Sequence, residues 1–128
     1  MKDRAAELNA AKSSKGKAGD GAADVRAKIA ELKPPERGMA ERLFELIMAA
    51  APGLEPKTWY GMPAWYKDGK VLCHFVSATK FKTRYATLGF SDQAKLDDGD
   101  LWPNAFAVIR LTPAVEAEIT ALVKKAAG

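Results

Sequence analysis

The sequence contains few of the residues that bind transition metals or form disulfides. Its 128 residues include one cysteine, Cys73, and one histidine, His74. A single cysteine excludes an intrachain disulfide and a thiolate cluster for zinc or an iron–sulfur centre. Consecutive residues of a strand point to opposite faces of a sheet, so Cys73 and His74 cannot share a site in the strand predicted for them. The sequence therefore predicts no metal site built on sulfur and imidazole.

Long apolar segments and a targeting sequence are also missing. No apolar run approaches the ~18 residues that cross a bilayer, and the N-terminus lacks the apolar core of a signal peptide. These absences predict a cytoplasmic protein with no membrane contact. The formal net charge of +4 lies mainly in residues 1–35, with eight Lys and Arg against five Asp and Glu; residues 36–128 carry twelve against eleven. A nearly neutral folded part argues against nucleic acid as the partner.

Aromatic residues are almost absent outside one stretch, because ten of the eleven lie in residues 58–111. Aromatic and β-branched residues favour strands, so this stretch is predicted to form a sheet. Asp68-Gly69 between two strand patterns is a strong signal for a hairpin turn. The predicted strands are residues 59–61, 64–67, 70–77, 84–90 and 105–111, with a loop at residues 91–104.

Helical periodicity occurs on either side of the predicted sheet. A first helix begins near Asp20 or Asp24 and ends at Pro34-Pro35, a second ends before Pro52-Gly53, and the last begins at Thr112-Pro113. Residues 1–21 have little apolar surface and several glycines, which predicts a flexible extension before a single domain at residues 22–128. Helices, a run of strands and a final helix predict an α+β fold: an antiparallel sheet of about five strands with the N- and C-terminal helices on one face.

Four segments and the last predicted helix resemble the YdhG-like family of small bacterial domains of unknown function. The segments are residues 59–65 (Trp-Tyr-Gly-Met-Pro-Ala-Trp), residues 68–71 (Asp-Gly-Lys-Val), residues 80–90 around Arg84-Tyr85, and residues 96–103, which end in Leu-Trp-Pro. The resemblance covers roughly residues 24–126. It implies a frataxin-like fold, and some members of the family are described as intracellular iron chaperones.

The same resemblance implies candidate iron ligands. Frataxins hold iron through acidic residues on the first helix and the neighbouring sheet edge, and Glu41 and Glu45, with Glu36, match by position. The best local cluster of oxygens is the acidic turn at Asp97, Asp98 and Asp100, which could bind a divalent cation. Asp and Gly also form turns by bonding to local backbone amides, and that reading of the turn remains open. We expect no cofactor, with iron as the alternative.

The second face of the predicted sheet is the main functional candidate. Helices on one side cannot cover both faces, yet both faces of the strand at residues 70–77 carry apolar residues. We expect the uncovered face to bind a small organic anion or a peptide, with Lys80 or Arg84 meeting the charge and Trp65 or Trp102 stacking on the ligand. The full set of candidate residues is Tyr60, Trp65, His74, Lys80, Phe81, Arg84 and Trp102.

Structural interpretations of these residues stay open beside the functional one. The face could be a second small core closed by residues 91–104, His74 could fill space in the sheet, and the cations near Lys80 could protect an edge strand. No nucleophile–base pair or phosphate loop is evident. The sequence therefore predicts a monomeric, non-catalytic binding module, with an iron chaperone as the alternative.

Overall fold

The computed structural model describes residues 20–128, so the predicted extension lies outside the described part of the chain except for its last two residues, which belong to the first helix. Apart from one short helix between the third and fourth strands, helices and strands follow one another in the order that the sequence predicts. The helices are α1 (Asp20–Ala30), α2 (Glu36–Ala50), α3 (Ala78–Phe81) and α4 (Pro113–Ala127). The strands are β1 (Glu55–Trp59), β2 (Met62–Lys67), β3 (Lys70–Val76), β4 (Ala86–Phe90) and β5 (Ala105–Val108).

The five strands form one open antiparallel sheet in which each strand pairs with the next in sequence. Two-residue turns join the first three strands. Tyr60 and Gly61 have φ values of 51° and 76°, and Asp68 and Gly69 have 51° and 78°. Positive φ at both central residues is the geometry of the type I′ turn, whose twist matches that of the strands. The predicted strand at residues 59–61 is therefore wrong in its bounds, because Tyr60 and Gly61 form the turn and β1 precedes them.

One apolar core lies between the helices and one face of the sheet. Val25 and Ile29, one turn apart on α1, are almost fully buried there. Thr112 caps α4 as predicted, its Oγ1 accepting a hydrogen bond of 3.2 Å from the Val115 amide. The core also takes in these residues of α2, α4 and the sheet: Leu43, Phe44, Ile47, Trp65, Cys73, Phe75, Leu88, Phe90, Ile119 and Val123. None of the helices in residues 20–128 is long and apolar enough to cross a membrane.

The other side of the sheet, called here the open face, follows from the strand register. His74 pairs with Gly89, and Gly89 pairs with Ala105. Thr87 pairs with Ala107 in the next row of the same face. Directly opposite residues project to one side, so small side chains form most of the open face near β4 and β5.

A β-bulge corrects the predicted alternation along β3. Trp65 pairs with Cys73 but Tyr66 pairs with Val71, so Leu72 has no partner of its own on β2. Two successive residues of a bulge can turn toward the same side of the sheet. Leu72 and Cys73 are both fully buried in the core, whereas Val71 is half-buried. Leu72 therefore does not share a face with His74, as it would in a strand with regular alternation.

Pro63 lies in β2, an inner strand of the sheet. It pairs with Thr58 of β1, but the ladder between β2 and β3 begins one residue later, at Ala64 and His74. Proline has no amide hydrogen to donate, so the ladder cannot extend through its nitrogen. The strands separate at this end of the sheet, and the chain after β3 turns into α3, a short helix that the sequence did not predict.

Because of the bulge, we expect alanine substitutions at Leu72 and Val71 to lower the free energy of unfolding by different amounts. Leu72→Ala leaves a cavity in the core and should lower the free energy of unfolding by about 2–5 kcal/mol. Val71→Ala removes a half-buried side chain and should cost about 1 kcal/mol. Urea unfolding of both variants measures the difference. A larger loss for Val71→Ala would contradict the bulge and restore the simple alternation.

Candidate functional site

The predicted site residues do not come together in one place. His74 lies on the open face, and Tyr60 lies in the turn between β1 and β2. Lys80 and Phe81 line a cavity at the end of the sheet, beside α1. Arg84 is exposed in the segment between α3 and β4. The single aromatic cleft expected from the sequence is thus divided into separate regions.

Trp65 is the clearest correction, because it is fully buried in the core beneath the helices. Its register partners Pro56 and Cys73 lie on the same, helix-covered face. Its ring packs beside Phe44 of α2, with the ring centroids 6.1 Å apart. The buried indole Nε1–H has no hydrogen-bond partner among the described residues. Trp65 therefore cannot stack on a ligand at the open face.

His74 fills the centre of the open face. Its ring lies 4.7 Å from that of Trp59, centroid to centroid. A Cβ added to Gly89 would lie 2.6 Å from His74 Cε1, so the imidazole occupies the space that a side chain at position 89 would need. Burial lowers the pKa of His74, which favours the neutral ring at neutral pH. These contacts match the space-filling interpretation of His74.

Trp102 lies in a different region again. It is 56% exposed, and its Nε1–H donates to the Gly99 carbonyl at 2.8 Å, across the acidic turn. With Asp92 and Asn104 it lines a cavity of about 260 Å³ between the two halves of the loop at residues 91–104. Trp102 does not line the cavity of Lys80 and Phe81.

That other cavity, called here the Lys80 pocket, has a volume of about 210 Å³ and lies where β2 and β3 separate. Its apolar wall comes from the segment after α1, from β2 and β3, and from α3: Leu32, Met62, Pro63, Phe75 and Phe81. Its charged groups are Lys28, Lys33, Lys80 and Glu31. The sequence analysis found Lys80 and Phe81 but missed the rest. Lys28 and Lys33 lie about fifty residues away along the chain, and no local pattern links them to Lys80.

A buried carboxylate holds α3 against this pocket. Glu36, the first residue of α2, accepts hydrogen bonds from the Ser77 hydroxyl (2.9 Å) and from the amides of Ala78 (2.6 Å) and Thr79 (3.1 Å). Ser77 in turn accepts a bond from the Lys80 amide at 3.2 Å. Burial tends to raise the pKa of Glu36, but hydrogen bonds from Thr79, Ala78 and Ser77 outweigh it and lower the pKa. Glu36 is therefore ionised at neutral pH and serves as a cap for α3.

The acidic residues proposed as iron ligands do not form a cluster. Arg42 donates to both carboxylate oxygens of Glu116 (2.9 and 3.1 Å) and to Glu45 Oε2 (3.0 Å). Hydrogen bonds to Glu116 and Glu45 raise the pKa of Arg42, and the bond from Arg42 lowers that of Glu116. The carboxylate of Glu45 is thus paired with the guanidinium of Arg42. Across residues 20–128 no three His, Cys, Asp or Glu side chains converge on a possible metal position, at Glu41 and Glu45 or at Asp97, Asp98 and Asp100.

Comparison with protein-family models, with curated proteins and with solved structures found no match to the chain.

Because Glu36 caps α3 as a carboxylate, we expect its contribution to the free energy of unfolding to depend on pH. A carboxyl with a lowered pKa in the folded state stabilises the fold above its unfolded pKa, and this contribution is lost as the pH falls through the folded pKa. Glu36→Ala should therefore lower the free energy of unfolding by about 1–3 kcal/mol at neutral pH, because it leaves the buried Ser77 hydroxyl and two partly buried amides without an acceptor. The difference in the free energy of unfolding between Glu36→Ala and wild type should become smaller at acidic pH.

Glu41→Ala is the matched control, because Glu41 is exposed on the same helix and its loss changes the net charge equally. Denaturant unfolding at neutral and acidic pH measures both variants. Equal losses for the two variants, or a Glu36→Ala deficit that stays constant into acid, would contradict the cap.

A second prediction concerns iron. Calorimetric titration with ferrous iron should give no saturable binding, because a hard cation needs several converging oxygens and the described residues provide none. Saturable binding that disappears in Glu41→Ala/Glu45→Ala or in Asp98→Ala would overturn this expectation and support the iron-chaperone alternative.

Proposed function

We propose that this domain is a non-catalytic module that binds a small organic anion in the Lys80 pocket. The observation that carries the proposal is one cavity that combines a continuous apolar wall with lysines from α1, from the segment after it and from α3. An apolar cavity with a few polar groups placed on it is the usual form of a small-molecule site.

The charges at the pocket favour an anion. Lys28 is 3.7 Å from Glu31, a partly exposed pair that contributes little attraction. Within residues 20–128, Lys33 and Lys80 have no carboxylate within ion-pair distance. The pocket therefore has three ammonium groups and one carboxylate. Lys80 also approaches the turn closely, its Nζ lying 3.4 Å from the position of a Cβ on Gly61.

The volume limits the ligand. A cavity of about 210 Å³ is smaller than the ~300–1,000 Å³ sites that hold drug-sized molecules. It suits a carboxylate or phosphate group on a short apolar body better than a peptide. The apolar part would contact Phe75 and Phe81, and the charged group would face the lysines.

The positions of the cysteine and the histidine, the two side chains with catalytic potential, support a function in binding and not in catalysis. Cys73 lies in the core, where burial raises its pKa to about 12, so the thiolate needed for nucleophilic chemistry is not formed at neutral pH. His74 lies on the open face, beside Trp59, and does not line the Lys80 pocket.

The proposal also takes up the fold and the family that the sequence resemblance implies. The antiparallel five-stranded sheet with helices α1, α2 and α4 on one face supports a frataxin-like fold and membership of the YdhG-like family. The cytoplasmic location belongs to the same proposal.

Anion binding can be tested by recording amide chemical shifts during titration with phosphate, butyrate and benzoate. Shifts should cluster at Gly61, Ser77 and Thr79, which line the pocket, and benzoate should bind more tightly than phosphate because it also fills the apolar wall. Lys80→Ala should weaken binding about three- to tenfold.

Lys70→Ala is the matched control, because Lys70 is exposed beside the Asp68-Gly69 turn and its loss gives the same net charge. Shifts centred on His74 and Gly89, or equal weakening by both variants, would contradict the proposed pocket.

A further inference from the structure

The two edges of the sheet differ in a way that the proposed function does not explain. At one edge, β1 contains Pro56 between Glu55 and Lys57, and α1 lies against it so closely that Gly21 has no room for a side chain beside the Pro56 carbonyl. Proline, charge and a covering helix are devices that prevent a strand edge from pairing with another chain. The β1 edge is therefore protected.

Among residues 20–128, none of these devices protects the β5 edge. Its sequence, Ala105-Phe106-Ala107-Val108, has no charge and no proline, and β4 is its one strand neighbour in the described sheet. Large exposed apolar side chains lie on both sides of it: Leu101 is 87% exposed, Trp102 56% and Ile109 66%. Exposed apolar residues next to an unprotected strand mark a surface where another chain adds to the sheet.

The hydrogen-bond register shows which groups β5 offers. The Phe90 amide donates to the Asn104 carbonyl at 2.7 Å, and residues of an antiparallel strand alternate between bonding to one neighbour and to the other. Phe106 and Val108 therefore bond toward β4, in step with Asn104. The amides and carbonyls of Ala105 and Ala107 point away from the sheet, as do those of Ile109 if the strand continues by one residue.

We propose that β5 pairs with β5 of a second copy of this chain, antiparallel about a two-fold axis at Ala107. This register places Ala107 opposite Ala107 and Ile109 opposite Ala105 of the second copy. All three outward-facing residues of each chain then form backbone hydrogen bonds, and the two sheets join into one of ten strands.

Side-chain size makes the strand complementary to itself in this register. Ala105 and Ala107 lie on the open face beside Gly89 and Thr87, and their small side chains leave room there. Ile109 of the second copy fills the space above Ala105. The largest of the three outward-facing side chains therefore meets a small one. A copy of the chain thus provides both an extended strand and the matching side chains. This dimer replaces the monomer expected from the sequence and does not depend on anion binding.

The association is tested by sedimentation of the full chain over a range of concentrations. An edge-to-edge contact is small, so the mass should rise from monomer to dimer with concentration. Ala107→Lys places two like charges at the two-fold axis and should keep the protein monomeric. Ala117→Lys, the same change at an exposed position of α4, should behave as wild type. Circular dichroism confirms that both variants fold.

A cysteine at the axis tests the register separately. Opposite residues of a hydrogen-bonded pair have Cα atoms about 5.5 Å apart, within the span of a disulfide. Ala107→Cys should therefore form a covalent dimer under mild oxidation, whereas Ala117→Cys should not, and the buried Cys73 should stay unreacted in both. A wild-type monomer at every concentration, a dimer that persists in Ala107→Lys, or equal cross-linking at positions 107 and 117 would overturn the proposal.

Discussion

The carboxylate of Glu36 connects the helical layer to the part of the chain that forms the Lys80 pocket. Its bonds to Ser77, Ala78 and Thr79 join the start of α2 to the start of α3, across more than forty residues of sequence. Without this acceptor the buried Ser77 hydroxyl and the partly buried amides of Ala78 and Thr79 would lose their partner, and a four-residue helix has little stability of its own. The positions of Lys80 and Phe81 therefore depend on a residue that does not line the pocket.

The pocket itself arises from a gap in hydrogen bonding. Pro63 stops the ladder between β2 and β3, and the separated strand ends leave a space that no helix fills completely. Apolar side chains from the core line this space on one side, while lysines reach it from the solvent side. A single proline thus changes a regular sheet end into a concave surface.

The layers of the fold were predictable from sequence because they rest on local chemistry. The Asp68-Gly69 turn and the Thr112-Pro113 cap each occupy the place that their pattern predicts. Trp65 was misplaced because a bulge depends on the pairing of two strands, which no single strand pattern records. Glu36 was grouped with the candidate iron ligands and not recognised as a cap, because its partners are distant in sequence. The lysines of the pocket were missed for the same reason.

The bond between Arg42 and Glu116 has a consequence for synthesis of the chain. These residues are separated by 74 positions, and they join α2 to α4, the last helix of the described residues. The sheet is a succession of neighbouring hairpins, so its strands can pair as they leave the ribosome, with little loss of chain entropy. Ile119 and Val123, however, complete the core only when α4 has emerged. A nascent chain that stops before Thr112 leaves part of its apolar sheet face without a cover, and this intermediate is the one that a chaperone would have to shield.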